Sequence, residues 1–307
     1  MTLAISTSWN AYRFNDGTGL LFEIAQLGFK SIELSFNLNA RLVESIAEQS
    51  AKLGISISSL HNYCPIPDGL LPKQALPDCF SLASLDNQER MLAVKYSKST
   101  IDTAQRLNAK AVVLHCGRVG GITDSTRALI NLYNQGLKDQ KEYRELKNEM
   151  IRQREAHAPA FLAQALNSLE ELNAYAKIKN VLLGVETRFY HGEIPNIFEI
   201  GAILKKFCNS NIYYWHDTGH AQLMENLGFA KHRDFLDQYQ NSLIGVHLHD
   251  ISGTQDHLAP LAGNLDFSLL QPYLKKNTIK VIEAHSPASA EELIKSRDFI
   301  SNIYECN

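Results

Sequence analysis

Histidines and carboxylates in this 307-residue sequence gather at a few places that could hold a metal ion. Eight of the 11 histidines lie at or just beyond the end of a short apolar run: His61, His115, His216, His220, His247, His249, His257 and His285. Five carboxylates share this placement: Glu186, Asp217, Asp250, Asp256 and Glu283. Crowded together, such groups would repel or stay unpaired unless a cation organised them. Mixed nitrogen and oxygen ligands suit Zn²⁺, Mn²⁺, Fe²⁺ or Co²⁺ better than Mg²⁺ or Ca²⁺.

Four short segments carry most of these residues, and each residue also has a simpler explanation. The segments are 184–188 (Gly-Val-Glu-Thr-Arg), 216–220 (His-Asp-Thr-Gly-His), 247–250 (His-Leu-His-Asp) and 281–285 (Val-Ile-Glu-Ala-His). A single histidine after a strand is commonly a hydrogen-bonded loop residue, and Glu186 could pair with the nearby Arg188. The joint placement of all these residues favours a metal site over separate structural roles. The placement of His157, His191 and His232 gives them no such role.

The apolar runs themselves predict the fold. Eight of them are interpreted as strands, at residues 3–6, 31–35, 55–60, 111–114, 181–185, 212–215, 244–248 and 279–282. Most are short, continuous and β-branched, as in parallel strands that are buried on both faces. Amphipathic stretches such as 38–53 separate them and are long enough for crossover helices. The pattern predicts an α/β fold, a (β/α)₈ TIM barrel that forms a single domain over residues 1–307.

In such a barrel the C-terminal ends of all strands meet on one face, where residues far apart in sequence come together. The residues at these ends are Glu33, His61, His115, Glu186, Asp217, His247 and Glu283. Most intervals between them are near the roughly 30 residues that one strand–helix unit needs, but two are 54 and 71 residues. The long intervals indicate insertions at 62–85, which is rich in proline, and at 118–160, where the charged stretch 137–156 predicts an exposed helix. Both follow strands, so we expect both on the active-site face.

Composition argues for a soluble, cytoplasmic protein. The net charge of −3 gives no general attraction to phosphate backbones or anionic lipid. No apolar stretch approaches the ~18 residues of a membrane span, and the N-terminus lacks the pattern of a secretion signal. The five cysteines are scattered without a CxxC pair, as in a reduced thiol set. A homo-oligomer is compatible with the sequence.

At the four segments the chain resembles the xylose-isomerase-like barrels, a superfamily of sugar isomerases and epimerases that also holds endonuclease IV. The most specific parts are 217–220 (Asp-Thr-Gly-His), 247–250 (His-Leu-His-Asp) and 256–260 (Asp-His-Leu-Ala-Pro). The resemblance implies one divalent metal held by Glu186, Asp217, His247 and Glu283. His249 competes with His247 for the third place, because it lies two residues further along and points the same way on a strand.

The endonuclease IV branch of this superfamily adds histidines that build a three-zinc cluster. His61, His115 and His220 match three of those positions in this sequence. The branch also has an Asp-x-His after the seventh strand, whereas Asp256 and His257 are adjacent here. That departure argues against the third metal of such a cluster.

The resemblance implies a metal-dependent isomerase or epimerase of a sugar or related hydroxy-carbonyl compound. Glu186 and Glu283 match the two carboxylates that move a proton on and off carbon in the epimerases. His61, His115, His220, His249, Asp256, His257 and Arg188 are then candidates for a second metal or for substrate binding. A second hypothesis is an endonuclease IV-like phosphoester hydrolase, which the extra histidines favour and the acidic charge balance opposes. A third is a barrel that binds a ligand without catalysis. We expect a small-molecule substrate and the metal to be Mn, Zn, Co or Fe.

Overall fold

The computed structural model describes residues 3–305, and within them eight parallel strands form a closed barrel. The strands are β1 (Leu3–Ser6), β2 (Ser31–Leu34), β3 (Ser56–His61), β4 (Ala111–Leu114), β5 (Leu182–Glu186), β6 (Ile212–Asp217), β7 (Leu243–Leu248) and β8 (Ile279–Ile282). Each strand pairs with the next along the chain, and β8 pairs with β1 to close the barrel. The predicted TIM barrel is therefore confirmed, with strand ends that lie within two residues of the predicted ones.

Helices cover the outside of the barrel. Over residues 3–305 they are α1 (Gly17–Gln26), α2 (Ala40–Leu53), α3 (Asn87–Arg106), α4 (Thr126–Asn134), α5 (Lys141–Lys179), α6 (Ile197–Lys206), α7 (Thr218–Leu227), α8 (His232–Tyr239) and α9 (Ala290–Glu305). The β7–β8 connection instead contains a ribbon of two antiparallel strands, Asp250–Ser252 and Gln255–Leu258, and a 3₁₀ turn, Phe267–Leu270. No helix in the described part of the chain is both long and apolar enough to cross a membrane.

The two predicted insertions differ in structure. Residues 62–85 form a loop with one 3₁₀ turn, Pro72–Gln74, and Tyr63 closes it by donating a hydrogen bond to the Phe80 carbonyl over 2.7 Å. The segment predicted at 118–160 has no boundary at residue 160, because α5 continues through Pro159 to Lys179. Nor is its charged part fully exposed, since Arg154 is buried in an ion pair with Glu199 at 2.6 Å.

Alternation along the strands decides which residues enter the barrel. Ala4, Val113, Trp215 and Val281 point inward and form a small apolar cluster, while their neighbours in sequence pack against the helices. Successive side chains of a strand point to opposite faces, so the residue two positions further on points inward again. Two positions after Ala4, Val113, Trp215 and Val281 the sequence has, in the same order, Ser6, His115, Asp217 and Glu283. The candidate site therefore lies directly next to the apolar cluster of the barrel interior, at the C-terminal ends of the strands.

Trp215 is the largest fully buried side chain and fills the barrel interior. It requires glycine on both neighbouring strands. A β-carbon at Gly184 on β5 would lie 2.9 Å from the indole ring, and one at Gly245 on β7 would overlap the ring. The same strands carry Glu186 and His247 two residues further on, so the packing of Trp215 also sets the height of these two side chains.

We predict that Gly245→Ala lowers the free energy of unfolding by about 1–3 kcal/mol, as overpacking of a core does. The added methyl group overlaps the Trp215 ring, whose closed surroundings leave no room to move. Chemical denaturation measures the effect. In a Trp215→Phe background the same substitution should cost much less, because the smaller ring frees the space. Equal costs in the two backgrounds would contradict the packing explanation.

Candidate metal centre

Four side chains converge at the C-terminal face of the barrel. Glu186 and Asp217 end β5 and β6, His247 lies on β7, and Glu283 follows β8. One ligand atom from each lies within 4.8 Å of those of the other three, and all four residues are buried. His247 Nδ1 is 2.6 Å from Glu186 Oε1, 2.9 Å from Glu283 Oε2 and 3.8 Å from Asp217 Oδ2. This ring nitrogen therefore stands at the centre of three carboxylates.

The orientation of His247 is fixed from its other side. Its Nε2 lies 3.0 Å from Oε1 of Glu33, the residue that points inward from β2. Glu33 in turn accepts a hydrogen bond from the Ser59 hydroxyl over 2.8 Å. A carboxylate that holds the far nitrogen of a ligating imidazole is a common arrangement in metal sites. We assigned Glu33 no role from the sequence, although it has the same strand-end placement as the predicted ligands.

The charges of the four residues depend on one another. Burial would raise the pKa of Glu186, but the charge of His247 and the hydrogen bonds from His115 and His247 lower that pKa well below its usual value. Burial would likewise raise the pKa of Glu283, and His247 lowers it. Burial would lower the pKa of His247, but the charges of Glu283, Glu33 and Glu186 raise it well above the usual value. Without an ion, the proton on His247 balances part of the carboxylate charge.

The residues present fit a divalent cation. Three carboxylates and one imidazole are ligands that Mn²⁺, Zn²⁺, Co²⁺ and Fe²⁺ accept. Asp217 Oδ1 accepts hydrogen bonds from His249 Nε2 and the His220 backbone N–H, each over 2.8 Å. Its buried Oδ2 has no hydrogen-bond partner among residues 3–305. A buried carboxylate oxygen without a partner is costly, and a cation among the four residues would satisfy it.

The Asp-Thr-Gly-His sequence at 217–220 is explained residue by residue. Asp217 is the N-cap residue of α7. Its Oδ1 accepts a hydrogen bond from the His220 backbone N–H, which leaves its Oδ2 facing the site. The Thr218 hydroxyl donates to the His249 carbonyl and accepts from the His249 N–H, joining α7 to the end of β7. A β-carbon at Gly219 would overlap the His249 ring. His220 then faces the site from the first turn of the helix.

A first group of possible ligands lies beside Glu186. His115 Nε2 is 2.6 Å and His61 Nε2 is 3.4 Å from Glu186 Oε2, and one ligand atom of each lies within 4.8 Å of the others. Arg188 Nη1 is 3.6 Å from the same oxygen. The buried guanidinium, which also pairs with Asp78 and Glu193, supplies positive charge to Glu186 and so weakens the attraction of this carboxylate for a second cation.

A second group lies on the other side of Asp217 and contains His220, His249 and His257. His249 Nδ1 accepts the backbone N–H of His257 over 2.9 Å, so its ring proton is on Nε2 and is donated to Asp217. His249 therefore neighbours the four-residue group without belonging to it. Asp256 Oδ2 is 2.7 Å from His257 Nδ1 and 3.9 Å from His220 Nε2.

A cavity of about 250 Å³ lies above these groups. Phe36, Pro77, Phe189 and Tyr190 contribute to its wall, so the 62–85 insertion reaches the site. Its small volume suits a small molecule.

Two residues near the site, His285 and Asp78, were not among the predicted metal ligands or substrate-binding residues. His285 stacks on His257 with ring centroids 3.9 Å apart. Asp78 is 3.1 Å from Arg188 Nη2 and 3.4 Å from His115 Nδ1. His285 had a visible signal, its place after β8. Asp78 had none, since it lies in the middle of a loop.

The sequence from residue 21 to residue 303 matches the family model of the xylose isomerase-like TIM barrels. The chain belongs to this family. The resemblance found in the sequence is thereby confirmed, and with it the barrel fold. No curated protein sequence matches the chain at a significant level.

Solved structures share the fold of this xylose isomerase-like chain over its whole length. A putative xylose isomerase from Rhodospirillum rubrum superposes with a TM-score of 0.71 at 16% identity, covering 100% of this chain and 99% of that one. A D-tagatose 3-epimerase-like protein gives a TM-score of 0.69 at 19% identity, with 100% and 98% covered. An L-ribulose 3-epimerase gives 0.69 at 17% identity, with 100% and 95% covered. At these identities the likeness shows the fold alone.

We predict that the purified protein binds one equivalent of Mn²⁺, Zn²⁺ or Co²⁺ and that Glu186→Gln combined with Glu283→Gln loses most of it. Because the neighbouring carboxylates raise the pKa of His247, metal binding should release a proton from its ring, and affinity should rise with pH below that pKa. Titration calorimetry in buffers of different ionisation enthalpy counts the protons.

Glu170→Gln, on the surface of α5, is the control and should bind metal normally. A folded, metal-free protein that fails to bind all three added ions would contradict the prediction.

We also predict that replacing His61, His115 and His220 together with alanine leaves the metal stoichiometry at one. The positive charge of Arg188 opposes a second ion beside Glu186, and the three histidines line the cavity, where we expect them to contact a substrate. Their loss should raise the apparent KM by roughly tenfold or more. A metal titration that saturates at a lower number in the triple variant than in the unmodified protein would show instead that they bind a further ion.

Proposed function

We propose that this chain is a metal-dependent epimerase or isomerase of a sugar or a related hydroxy-carbonyl compound. The observation that carries the proposal is the convergence of Glu186, Asp217, His247 and Glu283, with ligand atoms within 4.8 Å of one another. Three carboxylates around one imidazole can hold a divalent ion and still offer carboxylates for proton transfer. Family membership is compatible with this choice, but a barrel of this kind hosts many reactions, so the site carries the argument.

In this proposal the two glutamates act on the substrate from different strands. Glu186 ends β5 and Glu283 follows β8, with β6 and β7 between them. A substrate carbon placed between them would meet one carboxylate on each side. Glu186 then takes the proton from the carbon next to the carbonyl, and a proton returns through Glu283. A bound divalent ion would supply positive charge to the adjacent substrate oxygens.

The other polar groups of the cavity fit the binding of hydroxyl groups. His61 lines the cavity, with Nδ1 donating to the Asn62 carbonyl over 2.9 Å and Nε2 lying 3.4 Å from Glu186 Oε2. His220 donates from Nδ1 to the Thr187 carbonyl over 3.0 Å, so its Nε2 can accept from a substrate hydroxyl group. Arg188 Nη1 is buried without a hydrogen-bond partner in residues 3–305 and could donate to a substrate oxygen. Acceptors and a donor together suit a polyhydroxy compound.

The cavity, with a volume of about 250 Å³ and Pro77 and Tyr190 in its wall, also favours a sugar over duplex DNA. Two proteins with the same fold are described as a D-tagatose 3-epimerase-like protein and an L-ribulose 3-epimerase. Both names describe epimerases acting at carbon 3 of a ketose. They support ketoses as the first substrates to test.

A second candidate function is hydrolysis of a phosphoester. The observation that favours it is the presence of three further groups of possible ligands among residues 3–305: one with His61 and His115, one with His220, His249 and His257, and one with His257, Glu283 and His285. Several metal ions in a row could activate water and hold a phosphate. The guanidinium of Arg188 beside the first group weighs against that arrangement.

We predict that the metal-loaded protein, incubated with ketopentoses and ketohexoses in D₂O, places deuterium on the carbon next to the carbonyl of its substrate. Glu186→Gln should reduce this exchange by at least about 100-fold, because the amide cannot take a proton. Mass spectrometry and ¹H NMR measure the exchange, with Glu170→Gln as the control on the surface. Cleavage of abasic-site DNA that incorporates solvent oxygen, without exchange on any sugar, would support the hydrolase instead.

A further inference from the structure

A chain of hydrogen bonds runs behind the metal centre, on the side of β6 that faces the helices. Its members are buried or partly buried and join β5, β6, α7, α8 and the ribbon of the β7–β8 connection: Thr187, Tyr214, His216, His232, Gln222, Asn226 and Gly253. None of them belongs to the four-residue group. His232 received no role from the sequence, yet it stands in the middle of this chain.

The direction of every bond is fixed from the Gly253 end. A backbone carbonyl can only accept, so Asn226 Nδ2 donates to Gly253 over 2.7 Å. The oxygen of Asn226 then accepts from Gln222 Nε2 over 3.0 Å. The remaining atom of the Gln222 amide, Oε1, lies 3.1 Å from His232 Nδ1, which must donate to it.

The proton on His232 Nδ1 also determines the donor and acceptor roles between the two imidazoles. His216 Nε2 and His232 Nε2 are 2.9 Å apart, so one of them carries a proton and the other accepts it. Burial lowers the pKa of His232 to about 4. The hydrogen-bond partners of the two rings are Tyr214, Gln222 and each other, none of them a carboxylate, so a buried charge would be unpaired and each neutral ring has one N–H. Since His232 is protonated on Nδ1, its Nε2 accepts the proton of His216 Nε2.

The chain ends at Thr187. His216 Nδ1 carries no proton and accepts the Tyr214 hydroxyl over 2.7 Å. The Tyr214 oxygen therefore accepts from the Thr187 hydroxyl, also over 2.7 Å. The Thr187 carbonyl meanwhile accepts the N–H of His220 Nδ1 over 3.0 Å.

Two members of the chain adjoin proposed metal ligands in sequence. Thr187 follows Glu186, and His216 precedes Asp217. The far end, Gly253, lies in the turn of the ribbon that carries Asp256 and His257. Breaking any one of these hydrogen bonds would therefore shift the carboxylates of Glu186 and Asp217. Metal binding requires these carboxylates to be placed within a few tenths of an ångström.

We propose that His232 is a positioning residue that orients Glu186 and Asp217 through His216, Tyr214 and Thr187. It touches neither the substrate nor the metal ligands, and it acts by accepting the proton of His216 Nε2 while Gln222 holds its own proton on Nδ1. Any effect on catalysis rests on the proposed function. The effect on the tautomers and on metal affinity does not.

The test compares His232→Gln with His232→Phe in the full chain loaded with Zn²⁺. Glutamine can place its Oε1 near the position of Nε2 and accept from His216, whereas phenylalanine keeps a ring of similar shape without an acceptor. Long-range ¹H–¹⁵N NMR on protein labelled at histidine reports which ring nitrogen is protonated. We expect His216 on Nε2 and His232 on Nδ1 in the unmodified protein.

We expect the Zn²⁺ dissociation constant to rise about tenfold in His232→Phe and to change less than about twofold in His232→Gln. Gln222 lies nearer the surface, and Gln222→Met removes only the acceptor of the His232 Nδ1–H. In this variant the proton of His232 should no longer be confined to Nδ1, which can be measured even if His232→Phe fails to fold. The opposite tautomers, or equal Zn²⁺ affinity in the two His232 variants, would overturn the proposal. Absence of sugar exchange with the expected tautomers and affinities would refute only the proposed function.

Discussion

Several charged groups are buried at the C-terminal face of the barrel, and each needs a partner that compensates for its loss of water. The surrounding structure depends on this requirement. Glu33, Glu186, Asp217 and Glu283 are all buried around one imidazole, and an unpaired carboxylate there would be strongly disfavoured. Neighbouring groups therefore hold these carboxylates: Ser59 donates to Glu33, the first turn of α7 donates to one oxygen of Asp217, and His115 contacts Glu186. The other oxygen of Asp217, Oδ2, is buried without a hydrogen-bond partner among residues 3–305 and faces the centre of the group. The structure thus keeps its costly charges together at the place where a cation can neutralise them.

Small residues make this arrangement possible as much as the predicted ligands do. Gly184 and Gly245 admit the indole of Trp215, which sets the spacing of β5, β6 and β7 below the site. Gly219 admits the ring of His249 against the first turn of α7. Each glycine is therefore a point of contact between one layer of the barrel and the next, where a β-carbon would push the layers apart.

Much of the fold and part of the site could be predicted from the sequence, because both follow from the two-residue period of a strand. Apolar runs ending in Glu186, Asp217 or His247 place these residues on the inner face whatever the loops do. The same argument reaches Glu33, whose partner His247 could be known only from the closed barrel. Asp78 and His232 were beyond prediction, since a loop and a separate helix bring them in and no local pattern marks either. The ribbon after β7 was also not foreseen; it forms because a turn at residues 253–254 reverses the chain between two short strands.

The position of Trp215 gives this protein an optical property. Its indole meets the His247 ring edge to face, with centroids 5.1 Å apart, and the sequence contains just one other tryptophan, Trp9. A protonated imidazole in contact with an indole quenches its fluorescence, and a neutral one does so far less. The emission of Trp215 is thus coupled to the charge of the ring at the centre of the three carboxylates. The barrel carries a fluorophore that reports, without any label, on events at the strand ends.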